Sequence, residues 1–232
     1  MTGPENRPSE KSMELPVCLS ILLVLTLVFR FTDLDVGLQR LFYSPEEGWK
    51  YAPSFFCTLI YNYGAWPGLV LTGVAAVVLC AGYLRPDFAS FRKSALFIVL
   101  LAALGPGLVV NGILKAQSGR PRPRDVAVFS GSHEFQRVGD KGEAGEGYSF
   151  PSGHASMGFF LGAPYFLVRR SNRGWAISWL ALGLTSGVVI GIGRMAQGGH
   201  FASDVLWAWG VVHISGLALA YLLRMDSGGS AS

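Results

Sequence analysis

Six apolar stretches alternate with short polar segments along the chain, each near the ~20 residues needed to cross a hydrocarbon layer. They run from Leu15 to Phe31, Ala65 to Leu84, Ser94 to Leu114, His154 to Val168, Gly174 to Gly193 and Ala202 to Leu223. The fourth is short, and reaches 18 residues only if it begins at Pro151. Gly105-Pro106-Gly107 lies in the middle of the third. A proline there removes a helix N–H and crowds the preceding turn, which predicts a kink. Gly187 and Gly191, four residues apart, leave a bare helix face for close packing. Two further segments, Asp33–Tyr43 and Pro53–Tyr63, place apolar residues at helical spacing. Each fits either a helix lying on the membrane surface or a loop packed on the bundle. The pattern predicts an all-α, polytopic membrane protein of six transmembrane helices with short interfacial helices. One domain is expected over residues 13–225, between disordered cytoplasmic tails at 1–12 and 226–232.

Composition agrees with the pattern. Half of the 232 residues are hydrophobic and only 15% are charged, against about a quarter in soluble domains. The net charge of +4 sits in short loops between apolar spans. That suits anionic lipid rather than nucleic acid. Residues 85–93 and 169–173 are rich in Lys and Arg, so both loops, and with them both termini, are expected in the cytoplasm. A raw count does not decide this, with nine Lys or Arg on the proposed inside and ten outside. Arg7 and Lys11 precede the first span as in a signal peptide, but Arg30-Phe31-Thr32-Asp33 ends it without a small-residue cleavage site, so a retained anchor is expected. Cys18, Cys57 and Cys80 lack metal-site spacing and are expected to be packing residues.

Three polar clusters fall on the side that the loop charges make outer. Lys115-Ala-Gln-Ser-Gly-Arg120-Pro-Arg122-Pro-Arg124 leaves the third span, Phe150-Pro151-Ser152-Gly153-His154 enters the fourth, and Arg194 to Asp204 joins the fifth to the sixth. Four cations crowded at a membrane boundary call for an anion. Arg offers paired hydrogen bonds to phosphate oxygens and Lys a point charge. A helix beginning Pro-Ser-Gly-His turns backbone N–H groups toward an anion, with Ser152 adding a hydroxyl and Gly153 allowing close approach. His200 and Asp204 would stack one turn apart if the helix begins at or just before His200. The carboxylate would then hold one imidazole nitrogen as N–H and leave the other as a lone pair. Taken singly, these are equally a headgroup-anchoring loop, an ordinary helix start and a packing hydrogen bond. Together they place two histidines, one aspartate and several cations on one side of a bundle otherwise nearly free of charge. Elsewhere, Asn111 could steady Lys115, His133 is a loop residue, and His213 is expected to be packed and neutral.

Those parts can perform phosphoryl transfer without a metal. Cations neutralise the phosphoryl oxygens. His200 attacks phosphorus with Asp204 orienting it, and His154 protonates the leaving oxygen and then activates water.

At these residues the sequence resembles the type 2 phosphatidic acid phosphatase superfamily, the integral-membrane lipid phosphate phosphatases. The family motif runs Lys-x6-Arg-Pro, Pro-Ser-Gly-His and Ser-Arg-x5-His-x3-Asp. Lys115 with Arg122-Pro123 matches the first part, Pro151-Ser152-Gly153-His154 the second, and Arg194, His200 and Asp204 the third. Gly193 departs from it, standing where the family usually has Ser. The resemblance covers 115–204. It implies six spans, a phosphohistidine intermediate, and neither metal nor other cofactor. Lys115, Arg122, Ser152, Gly153 and Arg194 would bind phosphate, His154 would be the acid, and His200 with Asp204 the nucleophile and its orienter. Arg120 and Arg124 remain candidates for a second phosphate or the headgroup.

A narrower similarity rests on Gly105–Asn111, Gly119–Pro123, Ala155–Phe159 and Arg194–Phe201, which look like bacterial lipid A phosphatases, particularly those acting at the 4′ position. It implies a Gram-negative inner membrane, a periplasmic site, and a phosphorylated lipid and the bilayer as partners, with no feature calling for an obligate protein partner. Alternatives are a phosphatidylglycerophosphate or undecaprenyl diphosphate phosphatase, a lipid phosphotransferase and, outside enzymes, an anionic-lipid-binding membrane scaffold.

Overall fold

Apolar segments facing lipid become helices because only hydrogen bonds within the segment satisfy their backbone. The computed structural model describes residues 13–143 and 147–225, and the expected tails at 1–12 and 226–232 lie outside the described residues. Helix α1 spans Glu14–Phe31 and α2 spans Leu34–Gln39. A two-residue antiparallel hairpin follows, β1 at Tyr43–Ser44 and β2 at Gly48–Trp49. Helix α3 (Phe55–Tyr63), capped by the Ser54 hydroxyl on Cys57 N–H, leads into α4 (Trp66–Leu84). Next come α5 (Arg92–Ala102), a π-helical stretch Ala103–Leu114 and a last turn, α6 (Lys115–Ser118). Then α7 (Gly153–Phe160), α8 (Tyr165–Val168), α9 (Arg173–Ala196) and α10 (Ala202–Leu222) complete the chain.

The protein is all-α apart from the hairpin, and five of its helical segments are long and apolar enough to cross a membrane among the described residues. The fourth expected span differs from the other five. It is two short helices, α7 and α8, joined by a tight turn over 161–164. Pro164 has no N–H to return to Phe160, and a continuous helix would drive its ring against that carbonyl. The third span is locally distorted around the expected point: its turns widen into a π-helix over Ala103–Leu114, with Pro106 inside it. Asn111 Nδ2 donates to the Pro106 carbonyl (2.7 Å), giving that oxygen a side-chain partner.

Phe97, Leu101, Ala155, Phe160, Ala208 and Ala220 form the centre of the core, contributed by α5, α7 and α10. Helices α7 and α9 cross on glycine. A Cβ on Gly158 would stand 2.8 Å from the Gly187 Cα, and one on Gly183 2.6 Å from the Gly162 Cα. Gly191 instead faces Val205 of α10. Outward faces stay apolar, as Leu69, Val70, Val74 and Val77 of α4 illustrate. Cys18 and Cys57 are buried, but Cys80 is exposed on α4 and is no packing residue.

The two expected surface segments combine both of their predicted forms. Only residues 34–39 of the first are helical, and α2 turns Asp35, Val36 and Gln39 inward. Helix α3 buries Cys57 and Ile60 while leaving Phe55, Phe56, Leu59 and Tyr63 exposed.

Candidate active site

At one end of the bundle the fold brings together the three clusters that lie far apart in sequence. The His200 loop is the most buried part. Helix α10 begins at Ala202, not at or before His200, so the expected stacking of His200 on Asp204 does not form. His200 Nδ1 instead lies 2.6 Å from the Ser149 carbonyl. A carbonyl can only accept, so Nδ1 carries the proton and Nε2 keeps the lone pair. Asp204 Oδ2 is 3.7 Å from Nδ1, too far for a hydrogen bond, and acts on the ring by charge alone.

The Asp204 carboxylate is held by other groups. It accepts from Phe201 N–H at 2.7 Å, capping α10, and from the Ser149 hydroxyl at 2.6 Å. It also accepts from Arg120 Nη1 at 2.6 Å. Arg120 is 2% exposed and donates through Nη2 to Asp35 at 2.8 Å. Headgroup binding by Arg120 is therefore corrected: its guanidinium is enclosed between two carboxylates and lies 4.4 Å over the Phe201 ring. Buried carboxylates need such pairing, since an uncompensated charge in the interior is costly. Asp35 further accepts from the backbone N–H and hydroxyl of Ser203, and Gln39 Nε2 donates to the His200 carbonyl. Helix α2 thus grips both ends of the His200 loop.

Burial, reinforced by the Lys115 and Arg194 charges and opposed by Asp204, pulls the His200 pKa down to about 4. The ring is neutral near pH 7, and Nε2 is a usable nucleophile.

The other half of the site is more open. Ser152 caps α7, its hydroxyl accepting from Ala155 N–H, and its own N–H donates to the Asp204 carbonyl at 3.1 Å. Gly153 allows crowding: a Cβ there would stand 2.7 Å from Asn111 Oδ1 and 3.2 Å from Lys115 Nζ. Lys115 therefore lies against the start of α7. Lys115, Gly153 and His154 line one end of a cleft of about 550 Å³ whose walls are largely apolar residues of α4, α7 and the π-helical stretch.

Lys115, Arg122 and Arg194 all act electrostatically on His154, and Lys115 interacts with both arginines. The Nε atoms of Arg122 and Arg194 are buried without a hydrogen-bond partner among the described residues. Arg194 Nη1 donates to Gln197, whose Nε2 reaches the Cys57 carbonyl at 2.9 Å. Arg124 is exposed beside Asp125, and its backbone N–H donates to the Gly198 carbonyl at 3.1 Å. Like charges gathered in this way repel one another, and a bound anion would relieve the repulsion.

His154 Nε2 lies 3.1 Å from the Tyr61 carbonyl, and its ring stacks on the Tyr61 ring (centroids 5.9 Å apart, planes 15° apart). Arg194 lies over the same ring, 4.8 Å from its centroid. No pattern in the sequence marks Tyr61, Ser149 or Gln197; the first two contribute backbone carbonyls and the third is held by one. Asp35 and Gln39 left a fainter trace, a polar pair one helical turn apart in a segment otherwise apolar on that face. His133 is exposed in the loop, and His213 packs among Tyr165, Phe166 and Trp209.

The chain belongs to the PAP2 superfamily, whose sequence profile matches residues 94–226. Among curated proteins it is similar to the lipid A 4′-phosphatase of Francisella tularensis subsp. novicida (strain U112), 39% identical over 126 residues, 54% of this chain and 56% of the relative. It is also similar to the lipid A 4′-phosphatase of Rhizobium leguminosarum, 33% identical over 107 residues, 46% of this chain and 45% of the relative. The chain thus spans about half the length of the curated relatives it matches. No solved structure matches it.

Proposed function

We propose that the protein is a metal-independent lipid phosphate phosphatase that hydrolyses a phosphomonoester on a membrane lipid, with the 4′-phosphate of lipid A as the favoured substrate. The observation that carries this is the meeting of Lys115, Arg122 and Arg194 beside His154, two of them with buried Nε atoms that have no partner among the described residues, with Lys115 and Arg194 also acting on a neutral His200 whose Nδ1 is already held. The narrower substrate draws on the curated relatives.

In this mechanism the phosphoryl group lies against Lys115, Arg122, Arg194 and the Ser152–Gly153 start of α7. Cations rather than carboxylates face it, so they carry the charge neutralisation that a divalent ion would otherwise supply. His200 Nε2 attacks phosphorus, the ester P–O bond breaks, and His154 gives a proton to the departing oxygen. The phosphohistidine is then hydrolysed by a water that His154 deprotonates. Asp204 stabilises the imidazolium by charge at 3.7 Å, and the Ser149 carbonyl fixes the tautomer. The basic loops at 85–93 and 169–173 support a cytoplasmic location for themselves and both termini, with the site on the periplasmic side of an inner membrane crossed six times. Arg124, exposed at the rim, is the remaining headgroup candidate.

The test is phosphate release by purified protein, with EDTA present, from lipid A, phosphatidylglycerophosphate, phosphatidic acid and undecaprenyl diphosphate. Release from lipid A ahead of the others is expected, with competitive inhibition by vanadate. Activity lost to EDTA and restored by a divalent metal would refute the metal-independent mechanism.

A further inference from the structure

Gly193 and α3 meet in a way that bears on the site. Gly193 is buried on α9, and a Cβ there would stand 2.5 Å from Ile60 Cδ1 and 3.1 Å from Ile60 Cγ2. The bare backbone of Gly193 is the seat into which Ile60 fits, so it sets how closely α3 approaches α9. Four contacts at the active site follow from that seat. The Tyr61 carbonyl takes His154 Nε2, and the Tyr61 ring stacks on His154. The same ring lies under the Arg194 guanidinium, and one turn earlier the Cys57 carbonyl holds Gln197, which holds Arg194.

The hydrogen bond at His154 has a direction. The Tyr61 carbonyl only accepts, so Nε2 carries a proton, and the proton that His154 gives to the leaving oxygen is the second one, held on Nδ1 when the ring is an imidazolium. The flat ring beneath limits rotation of the imidazole. A guanidinium over an aromatic face is attracted by the negative face of the ring, which favours one orientation.

We propose that Tyr61 is a positioning residue, orienting the proton donor His154 and the anion-holding Arg194 from a helix seated on Gly193. This rests on the phosphatase function proposed above. Tyr61 touches neither substrate nor phosphorus; it acts through the two side chains it stacks on.

The leaving group makes the role testable. An alkyl phosphate needs its departing oxygen protonated, whereas a nitrophenyl phosphate leaves as a stable anion and needs little help. Tyr61→Ala should lower kcat about tenfold to a hundredfold on a lipid alkyl phosphate, part of the 10²–10⁴ that a placed acid supplies. It should lower kcat by at least about tenfold less on nitrophenyl phosphate, where only the loss of Arg194 orientation is felt, and Tyr61→Phe, which keeps the ring, should recover the alkyl activity. Gly193→Ala should reproduce the leaving-group-dependent loss by displacing Ile60, and adding Ile60→Ala should restore it. Equal losses on both esters, or no recovery with Phe, would overturn the proposal.

If the unchanged protein released phosphate from neither ester, the phosphatase function would fall instead. The ¹⁵N shifts of His154 in the full-length protein would then decide this proposal. Tyr61→Ala should reduce the Nε2–H tautomer share and Tyr61→Phe should leave it; identical tautomer shares in all three proteins would overturn it.

Discussion

The two histidines of the site stand in opposite surroundings. His200 is 3% exposed, in a loop fastened by Gln39, Ser149 and a carboxylate–guanidinium network reaching Asp35. His154 lines an open cleft and rests on a half-exposed tyrosine from a neighbouring helix. Yet each has one ring nitrogen fixed in the same way, by a backbone carbonyl: Nδ1 by Ser149 and Nε2 by Tyr61. The difference suits the roles proposed for them, His200 as nucleophile and His154 as proton donor. A nucleophile must return to one geometry in every turnover, so a rigid network serves it. A proton donor must meet an ester oxygen and then water, so access serves it.

Substitutions can break this contrast, beginning with the largest effect. His200→Ala should lower phosphate release by about 10⁴-fold or more while the protein stays folded, since no other group replaces the attacking nitrogen. Retained turnover would exclude His200 as nucleophile. His154→Ala should cost about 10²–10⁴ on a lipid alkyl phosphate and far less on nitrophenyl phosphate. Equal costs would mean that the open half of the site does not work as an acid.

Arg120→Ala should destabilise the fold by about 3–5 kcal/mol, because Asp35 and Asp204 would be left buried and uncompensated. A detergent melt that did not shift would show the network to be wetter than its burial suggests.

The smallest effect is that of pH. The pKa of His200 is lowered to about 4 from an unfolded value near 6.5, so between those values the unfolded chain binds the extra proton and the folded one does not. Stability from this group should be complete above about pH 6.5 and lost as pH falls toward about 4. Melts of the unchanged protein and His200→Gln across that window measure it. A parallel pH dependence in both would move the effect to another group.

Much of this was legible in the sequence because lipid imposes a strong pattern. The ranges 15–31, 65–84, 94–114, 174–193 and 202–223 predicted long helices, and the structure gives α1, α4, the partly π-helical third segment, α9 and α10 there. The fourth range could not reveal its division, since hydropathy averages over Gly162 and Pro164 and registers only apolar content. The spacing of Lys115, His154, Arg194, His200 and Asp204 foretold residues that do meet at one end of the bundle. What holds them was mostly hidden. Carbonyls of Ser149 and Tyr61 belong to every residue type and leave no compositional trace. Arg120 was indistinguishable from Arg122 as a cation in a basic run. Its burial depends on Asp35, 85 positions away, arriving on a helix only six residues long.

One consequence follows from the glycine crossing of α7 on α9. Where Gly158 meets Gly187 and Gly162 meets Gly183, the two backbones come into close approach, with the Phe159 ring packed against Gly187. His154 lies one turn from Gly158, and Arg194 about two turns from Gly187, so the two side chains ride on a single closely packed pair of helices. Lys115 instead follows a widened π-helical stretch broken by Pro106. Mechanically, the catalytic end resembles a vice with one fixed jaw and one compliant jaw, and a deformation of the surrounding bilayer would be taken up on the lysine side first.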